Sequence, residues 1–466
     1  MSLSAAIATA QTGLAARNRE LGVTSSNIAN ALTEGYARKE VTLSAIATTG
    51  GVRVETVENA AAPTLRAERR MAEADAAFAG VSAEGLEGIA AAIGELGDPD
   101  TLADRLTAFE SGLSALQTRP FDTGLQRAAI DAARGLTAYL NRASSALDRL
   151  MLDGEETLTA DIETANRLID QLATAPGNRG GDPADVAAAL EGDATAAALD
   201  ELNALFPGLK LTPSGDGDGI LSLETGTLIV QPLGPATLEV RTDAATGARS
   251  LWLDAGDVET EIDPGASGAI AGRLGFLEAT LPEMQERLDT LAADLVDAFA
   301  DPGTDPSLAP GNYGLFTDRL APPAVTEGLA GRIGVNEALD DPAESWRIRD
   351  GIGAATPGPE GDDTLVRAFL AALDAAPPSG SGPADARLVT VGAAISRDVS
   401  SLLFAAREDG IVADTRRSAA AAAEGRAVGV DDDAELQRLA LLQRAYQANA
   451  EVIRTSLIML DTLLEL

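Results

Sequence analysis

The sequence predicts a mainly α-helical, elongated subunit built of nested domains, and three observations carry that expectation. Aromatic residues are only 3% of a chain that is 45% hydrophobic. Its cores must therefore be assembled from Ala, Leu, Ile and Val, which suits closely approaching helices better than sheets. Apolar side chains recur at helical spacing near both ends and through most of the middle. Gly- and Pro-rich stretches interrupt the helical runs and cut them into units, and 466 residues allow about two to four domains.

Along the first thirty residues, Leu3, Ile7, Ala10, Leu14, Leu21 and Ile28 follow spacings of three and four, with Arg17 and Thr24 on the same seam. This is a thin heptad stripe, weakened further by Gly13 and Gly22. The last thirty residues carry a fuller seam of Leu439, Leu442, Tyr446, Ala450, Ile453, Leu457, Leu460 and Leu464, widened by Val452, Met459, Leu463 and Leu466. Asp431-Asp432-Asp433 precedes it, where negative charge complements the helix dipole. The two helices are expected to pair as a coiled coil, with apolar surface left over for other subunits.

Between them, Leu86, Ile89, Ile93 and Leu96 predict a helix halted near Gly97-Asp98-Pro99. A second, from Leu102 to Leu116, ends before Pro120, and a third runs from about Leu125 to Leu172 before Ala175-Pro176-Gly177. Short apolar runs at 209–211, 220–223, 227–230 and 237–241 predict an antiparallel β unit over about 205–264. Thr280-Leu281-Pro282-Glu283 reads as a capping box with Pro in the first turn. Residues 301–385 are poorly periodic apart from Leu365–Leu373, and helix returns from Arg387 to Glu424. The division that follows is a terminal helical unit from 1–45 and 431–466, and a middle unit from 46–300 with its return helix 386–430. A small loop-rich insertion, 301–385, is expected farthest out.

Seventy-two acidic against 35 basic residues give a net charge of −37. Such a surface repels phosphate backbones and anionic headgroups, which argues against nucleic acid or membrane as partners. No stretch reads as a bilayer span, and Met1 to Ile7 lacks the basic and apolar regions of a secretory leader. With no Cys and no His, disulfides, thiolate zinc sites and the commonest general base are excluded. The only lysines, Lys39 and Lys210, lie in no nucleophile motif. Gly215-Asp216-Gly217-Asp218-Gly219 lacks the spaced ligands of a calcium loop, and Gly351-Ile352-Gly353 lacks the third glycine of a nucleotide site. A glycan hydrolase acting on peptidoglycan would need two carboxylates about 5–10 Å apart, and no pair stands out. No catalytic, cofactor-binding or metal residue is assigned.

One ordered string is more specific than any of these. Ser25-Ser26-Asn27-Ile28-Ala29-Asn30-Ala31-Leu32-Thr33-Glu34-Gly35-Tyr36-Ala37-Arg38 resembles the N-terminal signature of flagellar rod, hook and hook-associated proteins: Asn-aliphatic-Ala-Asn, then Thr-Pro-Gly-aromatic. Asn27, Ile28, Ala29, Asn30, Thr33, Gly35 and Tyr36 match, while Glu34 replaces the usual Pro and Leu32 a small polar residue. The residue types suit a helix end: Asn30 and Gly35 tolerate left-handed backbone, Thr33 can bond locally, and Tyr36 offers an anchor. At the other end, Gln443, Tyr446, Ala448, Asn449 and Ala450 are similar to the family's Gln-x-x-Tyr-x-Ala-Asn-Ala helix, followed by an aliphatic tail with Ile453, Leu457, Leu460 and Leu464. Chain length, Leu274 to Glu283, Ile333 to Asn336 and Ser396 to Val399 resemble the members at the hook–filament junction. The resemblance implies a non-enzymatic structural subunit, exported without a cleaved leader through the flagellar type III apparatus. It further implies assembly with itself, with hook protein and a second junction protein, and an export chaperone as partner.

Overall fold

The computed structural model describes residues 3–33, 36–46, 50–60, 62–95, 97–174, 193–213, 219–223, 228–231, 234–254, 259–319, 326–380 and 386–464. Helix α1, Leu3–Ala29, leads into a hairpin of β1, Lys39–Ala45, and β2, Val52–Asn59. This hairpin was not expected, and residue 45, where the sequence was divided, lies within it. Its residues alternate as β-branched and polar (Val41, Thr42; Val52, Arg53, Val54), the period of a half-buried strand. Gly50 and Gly51 turn the chain at φ +71° and +105°. A side chain at Gly51 would collide with Thr12 of α1, so glycine lets the turn seat on that helix.

Helix α2, Pro63–Ile93, starts with Pro in its first turn and ends at Gly94, whose φ is 85°. Helix α3, Leu102–Thr118, carries a capping box: Asp104 N–H donates to Thr101 Oγ1 at 3.3 Å, and Thr101 N–H donates to Asp104 Oδ2 at 2.9 Å. Those bonds from Thr101 hold the Asp104 carboxyl below the usual range. Helix α4, Thr123–Thr174, runs 52 residues, about 78 Å, and its buried face (Ile130, Leu136, Leu140, Leu147, Leu158, Leu168) is the spine of one large core. The expected stop at Pro176-Gly177 and the Gly215–Asp218 turn lie outside the described residues.

Helix α5, Asp193–Leu205, precedes two small antiparallel sheets. The first orders β3 (Leu209–Pro213), β4 (Gly219–Leu223), β5 (Leu228–Gln231) and β6 (Gly234–Pro235). The second orders β7 (Thr237–Thr242), β8 (Arg249–Asp254) and β9 (Glu259–Ile262). The second sheet buries Leu238, Leu251 and Leu253, and Asn166 of α4 pairs with the backbone of Leu238 like a neighbouring strand, at 2.9 and 2.8 Å.

Helix α6, Ala269–Gly275, continues through a π turn, Phe276–Thr280, into α7, Leu281–Ala300. The expected capping box does not form. Thr280 is itself helical and makes no side-chain cap, and Leu281 N–H donates to Phe276 O, five residues back. The widened turn carries one continuous helix past Pro282, which has no N–H to give.

The segment after α7 corrects a second expectation. It holds β10 (Phe316–Asp318), α8 (Leu329–Arg332), β11 (Ile333–Val335), α9 (Arg347–Asp350) and α10 (Thr364–Asp374), the last where a helix was expected. It is no separate outer body: Phe316 and Phe369 are fully buried in the main core with Phe109 and Phe299. Ring centroids lie 5.1 Å apart for Phe299–Phe316, 5.0 Å for Phe299–Phe369 and 5.6 Å for Phe109–Phe316. Buried carboxylates pin its loops. Asp289 accepts from Gly328 and Ala330 N–H at 2.6 and 2.8 Å, Asp305 from Ile352 N–H at 2.9 Å, and Asp294 from Ser379 N–H at 2.7 Å. Burial pushes the Asp289 carboxyl up despite those bonds.

Helix α11, Leu388–Val428, returns along the body against α2 and α3. Asp431 Oδ1 then accepts from Asp433 and Ala434 N–H at 3.0 and 3.1 Å and starts α12, Asp432–Leu464. Contrary to the sequence reading, stretches within Pro63–Ile93 and Leu388–Thr462 do reach the length and apolar content of a bilayer span. Alanine supplies that hydropathy, and in the structure α2 and α11 pack on each other.

Candidate functional site in the paired termini

Helices α1 and α12 pack together. They run antiparallel: Gly13 faces Asn449, while Arg38, after α1, donates its N–H to Val428 O, before α12, at 2.8 Å. The buried positions on α1 are Ala10, Ala16, Glu20, Val23, Thr24 and Asn27. Leu14, Leu21 and Ile28 of the expected seam are only half-buried. The buried face thus keeps Ala10 and Thr24 of that seam and otherwise lies beside it, on Ala16, Glu20, Val23 and Asn27, the last turned toward the hairpin. A Cβ at Gly13 would lie 3.0 Å from Asn449 Nδ2, so the glycine read as a weakness is a point of closest packing. On α12, the buried residues are Glu435, Leu442 and Ser456, with Arg438, Leu439, Ala445, Asn449 and Ile453 half-buried.

Asn27, 1% exposed, is the centre of the N-terminal signature. Its Nδ2 donates to Lys39 O at 2.9 Å, and its Oδ1 accepts from Lys39 N–H and from the Tyr36 hydroxyl, each at 2.9 Å. The side chain therefore acts as a strand partner for the first residue of β1 and ties the hairpin to α1. Lys39 Nζ lies 5.5 Å from the Tyr36 ring centroid, which makes that anchor charged on one face. Asn30, which would tolerate left-handed backbone, does not adopt it. Its Nδ2 donates to Ser26 O at 2.8 Å, and its carbonyl accepts from Thr33 N–H at 2.9 Å, closing the helix from within. Ile28 is half-buried, Ala29 and Thr33 are exposed, and Gly35 lies outside the described residues.

Sequence reasoning missed Glu20, 6% exposed and held by Arg17 at 2.5 Å, and the backbone of Lys39. Replacing Asn27 with Ala strands both backbone groups of Lys39. The expected result is a local loss of about 2 kcal/mol and roughly thirtyfold faster amide exchange at Lys39. Unchanged protection of Lys39 contradicts this reading of the network.

The C-terminal signature lies differently. Asn449 faces Gly13, whereas Gln443, Tyr446, Ala448 and Ala450 point away from α1 and are exposed. So are Leu457 and Leu460, Ile453 is half-buried, and the Leu464 side chain lies outside the described residues. Leu436, Leu441, Val452, Ile458 and Met459 are exposed as well. One helix thus presents a long apolar surface to solvent, the kind of surface that marks an interaction site. Among the described residues no group of acidic side chains could hold a metal ion.

Comparison with known proteins bears on both regions. Residues 89–303, the helical body, match the model of the flagellar hook-associated protein FlgK helical domain. Residues 7–36, which include the Asn27–Tyr36 signature, match the flagella basal body rod protein model. No curated protein matches the chain. A solved structure of the flagellar hook junction protein FlgK from Burkholderia pseudomallei shares 18% identity over 54% of this chain, with a TM-score of 0.44. That match spans 46% of the Burkholderia protein's length. The helical body and the N-terminal signature thus each match a flagellar family model, in the order that the FlgK-type hook-associated proteins would show.

Proposed function

We propose that this chain is a structural subunit of the hook–filament junction and assembles helically through its paired termini. The observation that carries the reading is the apolar face of α12, left exposed on the side away from α1. A subunit with a net charge of −37 repels its copies, and a surface of this kind supplies the specific attraction that assembly needs. Its neighbours are other copies, hook protein on one side and a second junction protein on the other. Export proceeds through the flagellar type III apparatus with a chaperone, to which a chain without cysteine is suited. Deleting the gene and imaging the cells tests the reading: hooks without filaments are expected, and normal filaments overturn it. The match of residues 7–36 to a rod-protein model favours a second reading, a distal-rod or hook subunit. Deletion then leaves cells without hooks.

A further inference from the structure

Helix α11 changes character along its length. In its first half Leu388, Val391, Ile395, Val399 and Leu403 join the main core, and a Cβ at Gly392 would lie 2.8 Å from Leu106. Beyond Leu403 the buried residues are Ala413, Glu424 and Val428. Residues 419–423 are five consecutive alanines, with no large side chain to grip α2.

Charge holds the far end instead. Glu424, its side chain 9% exposed, accepts from Arg66 Nε at 3.1 Å and Arg69 Nε at 2.5 Å. Arg69 is the hub, for its two Nη atoms also reach Glu73 at 2.7 Å and Asp200 of α5 at 2.6 Å, and Asp200 takes Arg70 at 2.6 Å. A half-covered ion cluster of this kind, with only Glu424 buried, serves geometry better than it serves stability. Between the packed half and the clamped end sits Gly410. Glycine inside a helix weakens it relative to alanine, yet a Cβ at Gly410 would meet nothing within 4 Å. The packing of this chain gives no reason for glycine there.

We infer that residues 411–428 form a lever that bends at Gly410 and is latched onto α2 by Arg66 and Arg69 closing on Glu424. The terminal pair rides on its end. Helix α12 packs extensively on α1 alone, and the joint is a small cluster of Ala37, Ala60 and Val428 with Ala62 beside it. Eighteen helical residues make a lever of about 27 Å. A bend of about 20°, the size at which a helix counts as kinked, moves its tip by roughly 9 Å.

The chain has no cysteine, so spin labels on Ala421→Cys and Leu152→Cys, both exposed, report the lever against α4. The wild-type background is expected to give one narrow distance distribution. Glu424→Gln should add a second population displaced by up to roughly 6 Å, since Ala421 lies about 16 Å from the hinge, and Gly410→Ala in that background should remove it. An unchanged distribution in Glu424→Gln overturns the latch, and a second population that survives Gly410→Ala overturns the hinge. If Glu424→Gln loses its helical circular dichroism, the variant Arg66→Gln, Arg69→Gln, Glu73→Gln, Glu424→Gln replaces it, since it removes the latch charges together and leaves Asp200 paired with Arg70. The same second population is expected there, and its absence overturns the proposal.

Discussion

Phe299→Ala is expected to destabilise the helical body by about 3–5 kcal/mol, the range for removing a large aromatic from a packed core. Phe299 is fully buried and touches three other rings: Phe109 on α3 at 5.8 Å, Phe316 on β10 at 5.1 Å and Phe369 on α10 at 5.0 Å. These rings come from α3 and α7 and from the segment after α7, so the cavity opens where the helices and that segment are joined. Chemical denaturation of purified protein measures the loss. The same geometry reverses what the sequence suggested for the insertion. Deleting residues 301–380 should bare Phe109 and Phe299 and abolish folding of the body, where a detachable outer unit would leave it intact. A deletion variant that melts like wild type sinks this account of the shared core.

Leu457→Ala is expected to do the opposite, sparing the monomer and breaking the assembly. Leu457 is 48% exposed and Tyr446 39% exposed on the free side of α12, so neither holds the isolated chain together. When such a side chain is covered by a neighbouring subunit, truncation removes roughly 2–5 kcal/mol from that contact. Repetition around a polymer multiplies the effect. The melting curve of the variant should overlay that of wild type while motility is lost or filaments are shed. A clear fall in monomer melting temperature would show that α12 is an ordinary core helix and would remove the basis for the proposed interface.

The long helices were legible in the sequence because their apolar residues repeat for many turns: Ile130 to Leu172 on α4 and Leu388 to Leu403 on α11 need no tertiary information. The β1–β2 hairpin was not, since its short alternating runs follow directly on a helical signature. The α1 seam was legible only in part: Ala10 and Thr24 are buried as expected, but hydrophobicity favours Leu14 and Leu21, whereas close helix approach favours Gly13 and Ala16. The segment after α7 looked detached because it lacks periodicity. Single residues, Phe316 and Phe369, insert it into the core, and carboxylates such as Asp305 fix its loops through backbone groups that no residue pattern displays. Asn27 was picked out by its place in an ordered string, but its chief partner is the main chain of Lys39.

The pairing of Gly13 with Asn449 joins positions 436 residues apart (449 less 13). Contacts so remote in the chain are slow to form, because the intervening loop must close first. Either terminal helix finds no mate until the other is available. The terminal pair is therefore the last part of the fold to close.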